Sequence, residues 1–252
     1  MPVPPTFDVR VTGARPLSPQ VRELALERAD GAPFVFEAGQ WVSLVLPLPE
    51  GEVRRAYSIS SPPDGSPGFR IAVTKVTGGP GSTYLHGLAA GGSLRAVGPQ
   101  GFFTRPPDLA SPCLFVATGT GIAPLRSMML HAASRSSPAP AAPMWLLFGV
   151  RTEADILYRD DFEALAARAP NVRLFFSLSR PGEGWKGRAG YVQEHVKELW
   201  GELGAVRTGA AGAAGAPHAY VCGLEKMVGA VRDVLRKGLG VPRQQVHSER
   251  YD

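Results

Sequence analysis

Between residues 115 and 124 the chain reads Phe-Val-Ala-Thr-Gly-Thr-Gly-Ile-Ala-Pro. A short apolar run ends in small residues, two glycines follow, and a helical pattern begins at once. This is the signature of a strand, a tight turn and a helix N-terminus. Glycines let a ligand approach the backbone, and the first turn of a helix offers unpaired N–H groups to an anion. Pro124 suits that first turn, where its missing N–H costs nothing. A phosphate-bearing ligand is therefore expected here. The match to the common dinucleotide fingerprint is incomplete. Pro124 stands where a third glycine or alanine would, and no acidic residue follows about 20 positions on. Taken alone, the turn leaves a purely structural role open.

At 252 residues the chain suits one large domain or two ordinary ones, and its 44% apolar content predicts a packed core. No apolar run approaches the roughly 20 residues of a membrane span. The first residues have neither the basic start nor the apolar segment of a secretion signal, so a cytoplasmic location is expected. Cys113 and Cys222 are the only cysteines, too few for a disulfide framework or an all-cysteine zinc or iron–sulfur site. No metal site is expected. The net charge of +5 could steer an acidic protein or an anionic cofactor. The basic residues are mostly arginine in a chain rich in Ala, Gly and Pro, as biased codon usage would give. No basic run is interleaved with aromatics, which argues against a nucleic-acid partner.

Residues 6 to about 100 read as short strands divided by Gly, Pro and Asp. Residues 6–12 alternate, with Phe7, Val9 and Val11 on one face. Residues 21–26 place Leu24 and Leu26 together. Residues 41–46, 54–60, 69–76 and 93–97 continue the series. The spacing predicts a closed antiparallel barrel of six strands rather than βαβ units. Within it, Arg55 and Tyr57 share one face of a strand and Ser58 points to the other. The arginine could pair with a phosphate, the tyrosine could stack on a ring, and the serine could bond a heteroatom. An edge strand with a solvated arginine is the plainer alternative. Residues 75–88 hold Gly78, Gly79, Pro80 and Gly81, then Ser82 and Thr83, then Leu85 and Leu88. Ser82 is the expected N-cap of a short helix. The construction makes a second anion site or an ordinary strand-to-helix connection, and His86 reads as a packing residue. Residues 105–108 look like a linker, which divides the chain into domains at 1–107 and 108–252.

Beyond residue 113 the period changes. Strands are expected at 113–117, 144–150, 172–178, 219–222 and 245–249. Helices are expected at 122–131, 160–169, 190–199 and 225–239. Residues 134–143 and the Ala/Gly-rich residues 205–217 read as loops. The alternation predicts an open parallel sheet with helices on both faces, and such sheets bind ligands at the carboxyl ends of their strands. That edge collects Gly119 to Pro124, Gly149 to Arg151, Ser179 and Arg180 with Lys186 and Arg188 on the same loop, Cys222 with Gly223, and Glu249. Singly, each of these is more readily explained as structure.

Taken together and in order, they resemble the ferredoxin–NADP reductase superfamily of flavin oxidoreductases over nearly the whole chain. Arg55-x-Tyr57-Ser58 resembles its flavin motif, and Gly79-x-Gly81-Ser82 its flavin-phosphate loop. Residues 119–124 resemble its nicotinamide-nucleotide loop, where a final proline is normal. Cys222-Gly223 and the near-terminal Glu249-Arg250-Tyr251 complete the set. The resemblance implies a six-stranded antiparallel Greek-key barrel that binds FAD, followed by an open parallel-sheet α/β domain that binds NADPH or NADH. Arg55 would pair with the FAD pyrophosphate, helped by backbone N–H groups around Gly81, Ser82 and Thr83. Tyr57 would pack along the flavin, and Ser58 would bond near the hydride-accepting nitrogen. Gly119, Thr120 and Gly121 would cradle the second pyrophosphate, with Arg151 and Gly223 at neighbouring strand ends. Cys222 would lie against the nicotinamide, and Glu249 would orient it or pass protons. Ser179, Arg180, Arg188 and Tyr191 resemble the set that holds the 2′-phosphate of NADPH, which favours NADPH over NADH. Tyr251 resembles the aromatic residue that covers the flavin in plant-type members, although Asp252 follows it here. The implied activity passes a hydride from NAD(P)H to FAD and single electrons on to a separate carrier such as ferredoxin or flavodoxin. The alternatives are the reductase component of a multi-component oxygenase and a flavin- or nucleotide-binding module without turnover.

Overall fold

The computed structural model describes residues 6–106, 110–134, 142–209 and 215–251. Two compact units emerge, each with its own sheet and core. The first spans residues 1–105 and includes Arg126–His131; the second holds the rest. The expected boundary between residues 107 and 108 lies outside the described residues.

The first unit contains β1 (Thr6–Ser18), β2 (Val21–Arg28), β3 (Trp41–Leu48), β4 (Gly51–Ser58), β5 (Gly68–Thr74), α1 (Pro80–Gly87) and β6 (Ser93–Gln100). The strands order as β4-β3-β6-β1-β2-β5, and every pairing is antiparallel. The two edges meet beyond β4, where Ile59 bridges Ile71 and the Ser60 N–H donates to Arg70 O at 2.7 Å. The alternation read in the sequence decides which side chains point inward. Val9, Val11, Leu24, Leu26, Leu44 and Ile71 are all buried in the core. The irregular segment before β3 supplies two more core residues. Phe34 packs at 4.6 Å from Phe69 and 5.5 Å from Phe36, between ring centroids. Leu85 anchors α1 to the same core.

The second unit contains β7 (Cys113–Thr118), α2 (Ile122–Ser134), β8 (Met144–Val150), α3 (Arg159–Arg168), β9 (Val172–Leu178), β10 (Arg188–Ala189), α4 (Val196–Gly209), β11 (His218–Leu224), α5 (Glu225–Asp233) and β12 (Val246–Tyr251). Of α2, Arg126–His131 belong to the first unit. The strand order is β10-β9-β8-β7-β11-β12, with every pairing parallel. One face of the sheet carries Leu114, Val116, Leu147 and Val221 against Val196, Leu199 and Leu203 of α4 and Val228 and Val231 of α5. The opposite face carries a stacked series across three strands. Phe115 lies 5.5 Å from Tyr220, Tyr220 4.6 Å from His247, and His247 5.3 Å from His218.

Several expectations are corrected. The helix expected at 190–199 is instead a 3-10 turn at Val192–Glu194 followed by α4, which extends to Gly209, into the start of the stretch expected as an Ala/Gly loop. Residues 210–214 of that stretch, and 135–141 of the other expected loop, lie outside the described residues. The helix expected at 225–239 widens after Asp233 into a π-helical turn at Val234–Gly238. The two-residue strand β10 has no periodicity to announce it. The last strand reaches Tyr251, paired with Leu224.

The strand order reverses between β7 and β11, and there the backbone is tightest. A Cβ on Gly121 would stand 2.3 Å from Cys222 O and 2.7 Å from Gly223 Cα. A Cβ on Gly223, whose φ is +148°, would stand 2.3 Å from Thr118 Oγ1. Backbone cannot yield as a flexible side chain can. Gly121→Ala is therefore expected to cost about 1–3 kcal/mol of stability, the range of an overpacked core site. Urea denaturation measures this, and an unchanged midpoint would refute the contact.

His218 Nδ1 and His247 Nε2 are 3.0 Å apart, a hydrogen bond that needs at least one neutral ring. Burial, and then the neighbouring His218, hold the His247 pKa below its ordinary value. The unfolded chain therefore binds this proton more readily. The stabilisation is present above the ordinary imidazole value of about 6.5 and is lost as pH falls below it. Thermal unfolding between pH 7.5 and pH 5 is expected to show a shallower pH dependence in His247→Gln than in the wild type. Identical slopes would refute this.

Candidate functional site

In the first unit, β4 carries Arg54, Arg55 and Ala56 exposed, Tyr57 half-buried and Ser58 buried. Arg55 donates to Arg54 O at 2.9 Å. Its side chain runs beside the start of α1, because a Cβ on Gly81 would lie 3.7 Å from Arg55 Cγ and 3.0 Å from Leu46 Cδ1. Tyr57 packs against the barrel core, and burial pushes its hydroxyl up to about 12 against the opposing effect of Arg55. The phenol is thus a neutral donor at physiological pH.

The N-cap of α1 is Gly79, not Ser82, and Pro80 occupies the first helical position. The Ser82 hydroxyl instead turns back, accepting from Val76 N–H at 3.0 Å and donating to Gly79 O at 3.0 Å. The N–H of Thr83 closes the first helical bond, to Gly79 O at 3.0 Å. The amides that the helix itself leaves over are therefore those of Gly81 and Ser82, while Thr83 contributes an exposed hydroxyl. A guanidinium beside two amides at a helix start, next to a tyrosine ring, fits a dinucleotide with a pyrophosphate and a flat ring system.

In the second unit the carboxyl edge of the sheet holds the expected residues. Gly119–Gly121 form a 3-10 turn directly after β7, and Gly119 has φ +53°, the left-handed region. Nothing lies within 4 Å of a Cβ built on Gly119, so that side of the turn is open to a ligand. Thr118, which the sequence reading passed over, accepts the N–H of Leu224 on Oγ1 at 3.4 Å and ties the ends of β7 and β11 together. The small residues around it were the available signal.

Cys222 pairs in register with Ala117 on one side and Glu249 on the other. By strand alternation it shares the face of Tyr220, one rung nearer the edge. Cys222 is fully buried. Burial first, and the Glu249 charge next, push its thiol pKa up, with a hydrogen bond from Tyr251 working against them. Tyr251 is thus part of an ordered strand with its hydroxyl at the thiol. Asp252 lies outside the described residues.

Two neighbouring strand ends bring arginines together. Ser179 N–H donates to Val150 O at 3.0 Å and Arg180 N–H to Arg151 O at 2.8 Å. Arg151 and Arg180 are both exposed there, as are Lys186 and Tyr191. Arg188 is different. It donates to both carboxylate oxygens of Glu198, each at 2.8 Å, and its guanidinium lies 5.4 Å from the Phe175 ring centroid. Its charge is answered within the protein by Glu198. Sequence spacing could not reveal this, because Glu198 is ten positions away on another element.

Residues 8–104 match the family model for the oxidoreductase FAD-binding domain, and residues 115–233 match the oxidoreductase NAD-binding domain. The chain is 59% identical over 248 residues to ferredoxin–NADP reductase B of Sorangium cellulosum, covering 98% of both chains. It is 29% identical to the phenol hydroxylase P5 protein of Acinetobacter pittii, over 97% of this chain but only 65% of that one. The crystal structure of an Amycolatopsis cytochrome P450 reductase superposes with a TM-score of 0.80 at 28% identity, over 98% of this chain and 70% of that chain. The antiparallel FAD-binding sheet, the parallel NAD-binding sheet and this kinship across its whole length make the chain a member of the ferredoxin–NADP reductase family of FAD-dependent oxidoreductases.

Proposed function

We propose that this reductase takes a hydride from NADPH, or less readily NADH, onto FAD and delivers single electrons to a separate carrier protein such as ferredoxin or flavodoxin. The observation that carries the reading is the rung Ala117–Cys222–Glu249 at the strand-order reversal, directly beside the turn at Gly119–Gly121. A phosphate cradle and a buried thiol beside a carboxylate on one sheet edge suit a nicotinamide nucleotide. When bound, FAD accepts the hydride and releases electrons one at a time.

The chain's own residues align and hold. Arg55, with the amides of Gly81 and Ser82 and the hydroxyl of Thr83, takes the FAD pyrophosphate by charge-assisted hydrogen bonds. Tyr57 packs along the flavin, and Ser58 offers a hydrogen bond near its hydride-accepting nitrogen. Gly119, Thr120 and Gly121 hold the second pyrophosphate, and Gly223 keeps the floor of that turn free of side chain. Cys222 presents a neutral thiol to the nicotinamide, and Glu249 orients the ring. Tyr251 holds the thiol and gives way when the ring arrives. Ser179, Arg180 and Arg151 form the anionic subsite for the 2′-phosphate. The two cofactor domains divide at residues 107/108, and the protein works in the cytoplasm.

The reductase component of a multi-component oxygenase is a second reading, supported by the phenol hydroxylase relative. A non-catalytic flavin module would have no need of a buried thiol in register with a carboxylate.

Purified protein is expected to be yellow and to bleach under nitrogen on addition of NADPH. Yellow protein that keeps its colour would support the module and refute turnover. Glu249→Ala is expected to slow flavin reduction by about tenfold to a hundredfold in stopped flow while the FAD content stays at wild type, the scale of a misaligned reacting pair. Full-speed reduction would remove Glu249 from the mechanism. Arg55→Ala is expected to weaken FAD binding about tenfold or more, read as flavin lost on gel filtration; full retention would argue against the cradle.

A further inference from the structure

The arginine that sequence alone places at the 2′-phosphate is tied down from both ends. Its carbonyl accepts the Trp185 indole N–H at 2.8 Å, and that indole lies so close over Gly187 that a Cβ there would stand 2.3 Å from it. Its guanidinium makes a two-pronged pair with Glu198, with Nη1 also 3.3 Å from His195 Nδ1. His195 Nε2 lies 3.0 Å from the Ala189 carbonyl, which can only accept, so Nε2 carries the proton and Nδ1 is left as an acceptor for Arg188.

The direction of the side chain matters. Arg188 sits opposite Ser177 in the parallel pairing of β10 with β9, but its guanidinium covers Phe175, two residues back along β9. It therefore points away from the carboxyl edge, where Ser179 and Arg180 stand. Its Cα is about 4.8 Å across and about 6.6 Å along the sheet from that of Ser179. An arginine side chain spans that separation once released. Glu198 lies on the exposed face of α4, with about half of its side chain open to solvent.

We infer that Glu198 is a specificity-determining positioning residue: by holding Arg188 in a fork on α4, it withholds one cation from the adenosine-ribose subsite and limits how strongly the enzyme prefers a 2′-phosphorylated nucleotide. The inference rests on the proposed placing of that subsite at Ser179, Arg180 and Arg151. A 2′-phosphate gains from each additional guanidinium, whereas a 2′-hydroxyl gains little. Releasing Arg188 therefore changes one nucleotide and not the other. This separates positioning from a structural role, whose loss would lower both alike.

The test uses FAD-loaded wild type, Glu198→Gln, Glu198→Ala, Arg188→Ala and the double variant Glu198→Gln/Arg188→Ala. Two readouts are compared: the ratio of kcat/KM for NADPH over NADH with ferricyanide as acceptor, and calorimetric affinity for 2′-phosphoadenosine 5′-monophosphate against adenosine 5′-monophosphate. Both Glu198 variants are expected to raise both ratios about tenfold, the worth of one charge-assisted contact. Arg188→Ala alone leaves the ratios where they were, and the double variant loses the gain. Unchanged ratios in both Glu198 variants would overturn the inference. A fall in Arg188→Ala alone would do so too, since Arg188 would then already serve the phosphate. Wild-type protein that binds neither adenosine phosphate would sink the functional reading, and the inference with it. Wild type that discriminates between them, with ratios insensitive to Glu198, would sink the inference alone.

Discussion

The approach of Gly121 to the backbone of Cys222 and Gly223 is the constraint on which the second unit depends. At 2.3 Å from a would-be Cβ, the Cys222 carbonyl leaves no room for any side chain. That closeness lets the turn after β7 fold flat against the end of β11. It opens the unfilled side of Gly119 to a ligand and sets the buried thiol of Cys222 beside the same turn. Because β12 pairs in parallel with β11, Glu249 and Tyr251 then arrive beside that thiol without a dedicated loop. A chain that satisfied the hydrophobic pattern but carried alanine at position 121 would keep the sheet and lose the geometry of its edge.

Charge is used locally. The excess of basic residues suggests a broadly cationic surface, yet many of the arginines are spent inside the protein. Arg10 pairs with Glu27, Arg15 with Glu23, Arg95 with Glu52, Arg159 with Glu153 and Glu163, and Arg250 with Glu225. All of these pairs but Arg15–Glu23, whose carboxylate is buried, are open to solvent on both sides and add little stability, but they remove cations from the field a ligand meets. Among the exposed arginines, Arg55 stands beside the start of α1, and Arg151 and Arg180 stand at neighbouring strand ends. Position in the fold, and not net charge, decides which arginine is placed where an anion could reach it.

Much of this was legible in the sequence because the features are local. Alternation gave six strands of the barrel and which of their side chains face inward. The run from Phe115 to Pro124 gave the strand, the turn and the helix. What the sequence hid depends on partners distant along the chain or on very short elements. Phe34 and Phe36 enter the core from a segment with no regular structure. Ser82 looked like a cap, but Pro80 already fills the first helical position, so the cap falls on Gly79 and the hydroxyl turns to Val76. Arg188 kept the residue type and approximate spacing of a phosphate ligand. Its contacts with Glu198 and Phe175 are ones that no local pattern announces. Nor does any local pattern announce that Tyr251 pairs with Leu224 at the end of β12.

The distribution of protonation states follows from burial and matches the chemistry proposed. Tyr57 in the first unit and Cys222 in the second are both held in their neutral forms, by desolvation more than by any neighbouring charge. A thiolate at Cys222 would be a strong nucleophile set against an electrophilic nicotinamide ring, and covalent addition would compete with hydride transfer. A protonated thiol would instead offer the proposed ring an apolar surface that does not react with it. The cations, by contrast, stand where phosphates would lie, in contact with water. Each unit thus separates charged anchoring groups on its rim from neutral packing groups where the rings would rest. That arrangement lets binding energy from the phosphates align the reacting atoms without placing a fixed positive charge against a cationic nicotinamide.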